Sequence, residues 1–416
     1  MMTNNSFSKF FDFSLALFSI ITILFQKQAA LAYLVLIVLL IVGISKKKVK
    51  FTFNFTTFLF VLFYGFYVFY ALYTNHVSDA LRYFENKLTF LVLPLFFFFL
   101  PKEKMAFKWT IRGFLIAVFL LAIQSLVFSF SNYFKTHEIG SFISTRFSYQ
   151  HHPSYASVFY TFALLMSWNQ HKKNAENYSL YWLIPFSILL LFSILACMSL
   201  AGLLFLLVFF LAVFIYFLAT KIGRKKTVLF TIISPVLFYV MVMIIPPLRS
   251  QWEDAKNFTI TFINDPSTFL KDPVNAEKGS GVRLIMWTIA TQVLTEHPLG
   301  VGTANVDDYL YAKLTKLKQY KLAKKYYNPH NQYLQSGIEI GVIGLAVLLL
   351  LLIKATNLAW KQRNYLLLFI VVNLAFNMLF ESMLQRQSGI VFYTFWMCIL
   401  VVYSAHFPST KKEQIT

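Results

Sequence analysis

Apolar stretches about as long as a bilayer-spanning helix recur along the whole chain, and clusters of lysine and arginine separate them. The run from Leu31 through Val42 has no polar face at any helical or strand period, so it must be enclosed on all sides or face lipid. Charged residues make up 13% of the 416 and hydrophobic residues 58%, whereas a soluble globular chain is about 25% charged. Lipid is therefore the expected solvent for most of the chain. In hydrocarbon, only helices and closed barrels satisfy every backbone amide and carbonyl. The runs here are of helical length and lack the alternation of barrel strands.

The pattern predicts an all-α, polytopic integral membrane protein with about twelve transmembrane helices, forming a single membrane domain over 1–416. Spans are expected at 11–25, 29–45, 51–73, 87–101, 113–130, 155–168, 183–197, 200–220, 228–246, 335–353, 365–380 and 389–405. With a cytoplasmic N-terminus, one side collects Lys46, Lys47, Lys48, Lys50, Lys102, Lys104, Lys108, Lys172, Lys173, Lys221, Arg224, Lys225, Lys226, Lys354, Lys361, Lys411 and Lys412, among others. The short loops of the other side hold Lys27, Arg82, Lys87, Lys135, Arg146 and Arg386. The positive-inside rule then fixes the orientation. The first apolar stretch, preceded by Lys9 alone, reads as a retained span and not a cleaved signal. A net charge of +20 would suit nucleic acid, but such a partner needs a soluble basic domain and no segment here offers one. Cys197 and Cys398 both lie in apolar runs and act as small hydrophobes.

One segment breaks the rhythm. Residues 247–334 form a large loop, expected to be periplasmic, between the ninth and tenth spans. Loops beyond about 15 residues are usually functional or disordered. This one carries Trp252, Phe258, Phe262, Phe269 and Trp287, too many apolar groups for disorder. Within it, Val282 to Glu296 reads as a helix that stops before Pro298, with Ile285, Ile289 and Val293 on one face.

Where this loop returns to the membrane the sequence reads Asn328-Pro329-His330-Asn331-Gln332-Tyr333-Leu334, followed by Glu339 and by Gly337, Gly341 and Gly344. Asn and Pro predict a helix start at Asn328 and Pro329, with free amides suited to an anion. His330 is then expected in the first turn, on the glycine stripe facing the bundle. Taken alone, it reads as an ordinary polar residue at a helix entrance. Upstream lies Arg283-x-x-x-Trp287, ending in Pro298-Leu299-Gly300-Val301-Gly302.

These two segments, in this order on one loop, resemble the O-antigen ligase and O-antigen polymerase family. Weaker resemblances lie in Arg146 to Tyr155, in Glu381 to Gly389, and in Ser199-Leu200-Ala201-Gly202, where Leu200 stands in place of the family's Arg. The resemblance implies a multi-spanning (GT-C-like) glycosyltransferase architecture in the cell inner membrane. It further implies an undecaprenyl-diphosphate-linked glycan as donor, a lipid A core sugar or glycan end as acceptor, membrane lipids as surroundings, and neither metal nor cofactor. The expected reaction is inverting ligation onto the lipid A core on the periplasmic face. Repeat-unit polymerisation, protein O-oligosaccharyl transfer and, outside catalysis, lipid-linked sugar transport are the alternatives. Catalytic roles fall to His330 and Arg283, and diphosphate or glycan binding to Arg146, Arg386, Asn331 and His152.

Elementary chemistry agrees with this implication. A departing diphosphate needs fixed positive charge, and the planar fork of Arg provides two parallel charge-assisted hydrogen bonds. Arg283, near the start of its helix, opposes the helix dipole, so a ligand is the expected reason for it; a snorkelling interfacial arginine is the other reading. Arg146 and Arg386 also read as basic anchors flanking spans. The adjacent Asp307 and Asp308 read as a solvated face. The run from Lys313 to Lys325, interleaved with tyrosines, fits lipid headgroups, an acidic glycan or plain solvent.

Overall fold

A computed structural model describes residues 4–406 except 73, 75, 104, 106, 210–234, 237, 238 and 241. The fold is all-α, with one short antiparallel ribbon in which Val49–Phe51 pairs with Phe99–Pro101. Four helices are long and apolar enough to cross a membrane: Asn4–Leu24, Gln26–Ser45, Lys108–Thr136 and Gln332–Lys361. Shorter apolar helices include Phe55–Ala71, Leu180–Ala196, Leu200–Phe209, Tyr365–Asn377 and Gln387–Tyr403. Most expected spans coincide with helices. The stretch 87–101 does not: Lys87 ends the helix Val77–Lys87, and Thr89–Phe97 carries Pro94 before the chain turns into the ribbon. Most of the expected spans 200–220 and 228–246, with Lys221, Arg224, Lys225 and Lys226, lie outside the described residues, as do Lys104, Lys411 and Lys412.

The first and third long helices show how the bundle is held. Asp12 on the first helix accepts the amides of Trp109 and Thr110, each at 3.0 Å, so its carboxylate caps the N-terminus of Lys108–Thr136 from another element. Such a cap contributes about 0.5–2 kcal/mol. One turn along, Gly113 lies so close to Ala16 that a Cβ there would come within 2.8 Å of the alanine methyl. The crossing is therefore made by small residues, as helices packing within lipid require. The second helix faces outward instead, with Leu31 and Ile41 each 60% exposed, as expected for a lipid-contacting surface.

The segment after Pro246 folds around a hydrophobic cluster of its own. Phe269, Ile285, Met286, Ile289, Val293 and Leu310 pack together, and Ile338 of the long late helix joins them. The helix Gly279–Glu296 begins three residues before its expected start and ends where Pro298 requires.

The long late helix is two helices. Ile340 (φ −128°, ψ 16°) and Gly341 (φ 70°, ψ 179°) break it. The break is filled by the Pro298–Gly302 turn: Val342 N–H donates to the Pro298 carbonyl at 2.9 Å, while Val301 and Gly302 donate to the carbonyls of Ile338 and Glu339. The groups freed by the break thus find partners within the protein, the condition for irregular backbone at membrane depth. The glycines were expected to serve helix–helix packing. Gly337 does so, meeting Leu294 of the helix Gly279–Glu296, whereas Gly341 meets the backbone of Leu299 in a turn.

Candidate active site

Three elements meet at the start of the long late helix: its N-terminal approach, the helix Gly279–Glu296, and the loop between Asn377 and Gln387. The helix starts later than expected. Its cap is Asn331, whose side chain accepts the Leu334 amide at 3.1 Å, and Gln332 is its first residue. Asn328 instead accepts the His330 amide at 2.9 Å, closing a turn that holds His330 at φ +49°. His330 therefore lies before the helix, off its glycine face. The amides of Gln332 and Leu334 already have protein partners, Met378 and Asn331, so the helix end offers an anion less than its position implies.

His330 Nδ1 lies 3.2 Å from Glu381 Oε1 and 3.3 Å from Oε2. Burial pushes Glu381 towards protonation, but the His330 hydrogen bond and the charges of His330, His152 and Arg283 prevail and hold it at about 2. Arg283 lies alongside, its Nε donating to the Phe380 carbonyl at 3.1 Å. Among the described residues, no hydrogen bond or ion pair is recorded for its terminal nitrogens. Burial lowers its pKa, with Glu381 opposing. Because the helix begins at Gly279, Arg283 falls in the second turn, so desolvation and not the helix dipole is the cost at this position.

His152 immediately precedes the helix Pro153–Lys173, makes no side-chain capping bond to it, and belongs to the same neighbourhood. Burial lowers its pKa, Glu381 raises it, and Arg386, His330 and Arg283 lower it further. The structure thus brings together His330, Arg283, His152 and Arg386, with Asn331 tied to the Leu379 carbonyl at 3.1 Å. Two buried nitrogens nearby, His152 Nδ1 and Trp287 Nε1, lack hydrogen-bond partners among the described residues. Such orphans call for a ligand or water. Arg146 is placed otherwise: it is exposed and ion-paired with Glu138. His151 is fully engaged, with Ser388 Oγ and the Ile23 carbonyl each at 2.8 Å. Asp308 pairs with His76 at 2.7 Å. Ser199 caps the helix that follows it, accepting the Gly202 amide.

Sequence reasoning gave Glu381 no role, although it opens one of the weaker resemblances. It stands 51 residues after His330 in a loop, where spacing carries no signal. It also missed Lys87 and Glu339, 1% and 0% exposed and 4.0 Å apart. Their signal was available, since an ionisable residue within an apolar stretch is rarely idle.

The family model described as O-antigen ligase matches residues 185–349. The matched stretch contains Arg283 and His330 and ends before Glu381. An uncharacterized protein of Haemophilus influenzae is 23% identical over 202 residues, covering 45% of this chain and 48% of that protein. The match spans about half the length of that relative.

Proposed function

The chain belongs to the O-antigen ligase and polymerase family, and from that premise we propose that it transfers a glycan from undecaprenyl diphosphate to a sugar hydroxyl of the lipid A core. The observation that carries this reading is His330 held by Glu381 beside the half-buried Arg283. A carboxylate at Nδ1 favours the tautomer with its proton there, leaving the Nε2 lone pair to take a proton. In the proposed reaction Nε2 accepts the acceptor hydroxyl's proton as that oxygen attacks the anomeric carbon. The bond from this carbon to the diphosphate oxygen breaks, its electron pair leaves with the diphosphate, and the anomeric configuration inverts.

Arg283 takes the developing negative charge. Its Nε is already committed to Phe380, which fixes the plane of the guanidinium and leaves the terminal nitrogens for two phosphate oxygens. Arg386, exposed beside the same loop, supplies further positive charge, and Asn331 and His152 line the glycan side. Fixed cations in a partly desolvated site can perform the neutralisation a divalent ion would otherwise give. Arg146, paired with Glu138, reaches the donor only by exchanging that partner. The site is taken to open on the periplasmic face of the inner membrane, with 247–334 as the periplasmic loop of a twelve-span domain.

The glycolipids of a deletion strain test this reading. Loss of lipid A-linked polymer with polymer retained on the lipid carrier is the expected result. Single-repeat products would mean a polymerase, glycans missing from protein would mean an O-oligosaccharyltransferase, and an unchanged profile would overturn the assignment.

A further inference from the structure

The loop that carries Glu381 is held by its backbone. The Met378 carbonyl accepts the Gln332 amide, the Leu379 carbonyl accepts from Asn331, and the Phe380 carbonyl accepts from Arg283. Ser382 donates to Asn328, and the Leu384 amide donates to Gln332 Oε1 at 2.6 Å. All of these anchors come from the C-terminal half of the chain. Two further anchors come from far upstream: Tyr155 donates to the Ser382 carbonyl at 3.4 Å, and Lys87 Nζ donates to the Leu384 carbonyl at 3.2 Å and to Gln385 Oε1 at 3.1 Å, so Lys87 is the one that carries a charge. It also lies 4.2 Å from the centre of the Tyr67 ring. Its counter-charge is Glu339, the last residue before the helix break, which accepts from Gln335 and Gln385.

We propose that Lys87 and Glu339 are a buried positioning pair, which sets the 378–386 loop so that Glu381 stands against His330. The inference rests on the proposed roles of those two residues. The pair itself touches no substrate. Two charges with no solvent access are costly to bury, and pairing alone commonly fails to offset that cost against an apolar replacement. Holding another group in place gives such a pair a use beyond stability. Here the geometry is specific: the lysine grips the loop three residues after Glu381, and the glutamate grips it through Gln385 and is itself fixed from behind by the Pro298–Gly302 turn on its own carbonyl. A catalytic group misplaced by an ångström loses rate without losing its ligand.

The test uses the full chain in lipid nanodiscs, with Lys87→Met, Glu339→Gln and the double variant K87M/E339Q. One readout is transfer from the lipid-linked donor. The other is modification of His330 by diethyl pyrocarbonate, mapped by mass spectrometry, which does not depend on the reaction assigned to the site. Lys87→Met should lower kcat by about tenfold or more with the donor KM within about threefold. It should also change the His330 modification rate, because the Nδ1 partner is loosened. Should Lys87→Met fail to accumulate as folded protein, the double variant, which leaves no unpaired buried charge, gives the same two readings. Wild-type His330 modification in folded variants would overturn the proposal, as would a defect confined to donor KM. A changed modification rate in a protein that transfers no lipid-linked glycan would uphold the positioning pair and overturn the function assigned above.

Discussion

His330 bonds the Glu381 carboxylate and Arg283 the carbonyl of Phe380 just before it, but the two are asked to do different things, and substitution separates them. A base acts on the acceptor's proton in the transition state, so His330→Ala should cut turnover by about 10²–10⁴-fold and leave donor binding largely intact. Arg283 meets a diphosphate that is charged before it leaves, so Arg283→Ala should weaken donor binding and turnover together. Arg283→Lys should restore only part of this, since an ammonium keeps the charge without the fork. Kinetics with purified lipid donor decide; near-normal turnover in His330→Ala would leave the histidine a structural role. Glu381 gives a check that needs no substrate. Its carboxyl titrates at about 2 in the folded chain against an ordinary 4.5, so between these values the unfolded chain binds the extra proton. Its stabilising contribution, on the order of 3 kcal/mol, is complete above about pH 4.5 and is lost as pH falls towards about 2. In His330→Ala the hydrogen bond and the nearest charge are gone, burial raises the folded value back towards the ordinary 4.5 or beyond, and the acid loss should shrink or reverse. Thermal unfolding of the two proteins from about pH 6 to about pH 3 measures it, and parallel curves would contradict the pair. His330 and Arg283 were legible in sequence because each sits in a local pattern. Glu381 was not, because its partnership is made by folding alone.

The broken late helix shows the same limit one level up. Gly337, Gly341 and Gly344 read as a stripe for close helix packing, and a periodic stripe is all that a helical reading can offer. What opposes Gly341 is a turn some forty residues earlier, and neither segment announces the other. Gly341 and Gly300 both have positive φ, and a Cβ on either would come within 2.5 Å of the other's backbone or its neighbour's. Strain alone costs about 1–3 kcal/mol for a non-glycine residue in such a conformation. Gly341→Ala and Gly300→Ala should each lower the melting temperature of the solubilised protein markedly, and activity should fall with it, since the first half-helix carries His330 at its N-terminal end. Gly65 is the control: it lies within a helix with nothing inside 4 Å of an added Cβ. Gly65→Ala should leave stability unchanged or raise it by up to about 1 kcal/mol. Equal effects at all three positions would show that the 298–302 turn does not lock the break.

For the molecule as a whole, the distribution of lysine and arginine along the chain predicts an orientation, and the fold supports it in a way that does not count charges. The ribbon joins the Lys48–Lys50 turn to Lys102. Lys48 reaches back to Asn4, Lys354 lies over Phe55, and Lys173 over Tyr403, whose ring meets Phe107. Basic residues of the Lys48–Lys50 turn, of the far end of the ribbon and of two helices, Pro153–Lys173 and Gln332–Lys361, are thus gathered at one pole of the bundle, with Asn4 and Tyr403 beside them. The cluster of His330, Glu381 and Arg283 lies where the long late helix begins, and Lys354 lies near its other end, so site and basic pole are about a bilayer apart along one element. If the basic pole is cytoplasmic, as the positive-inside rule requires, the site and the 247–334 loop face the periplasm. Native Cys197 and Cys398 are buried, so wild-type cells should give little background with an impermeant maleimide. Cysteine at Ile263, 69% exposed on the loop, should label in whole cells, and cysteine at Lys46 should label only after the membrane is opened. The reverse pattern would invert the molecule, place the site on the cytoplasmic side and remove the basis for transfer on the outer leaflet.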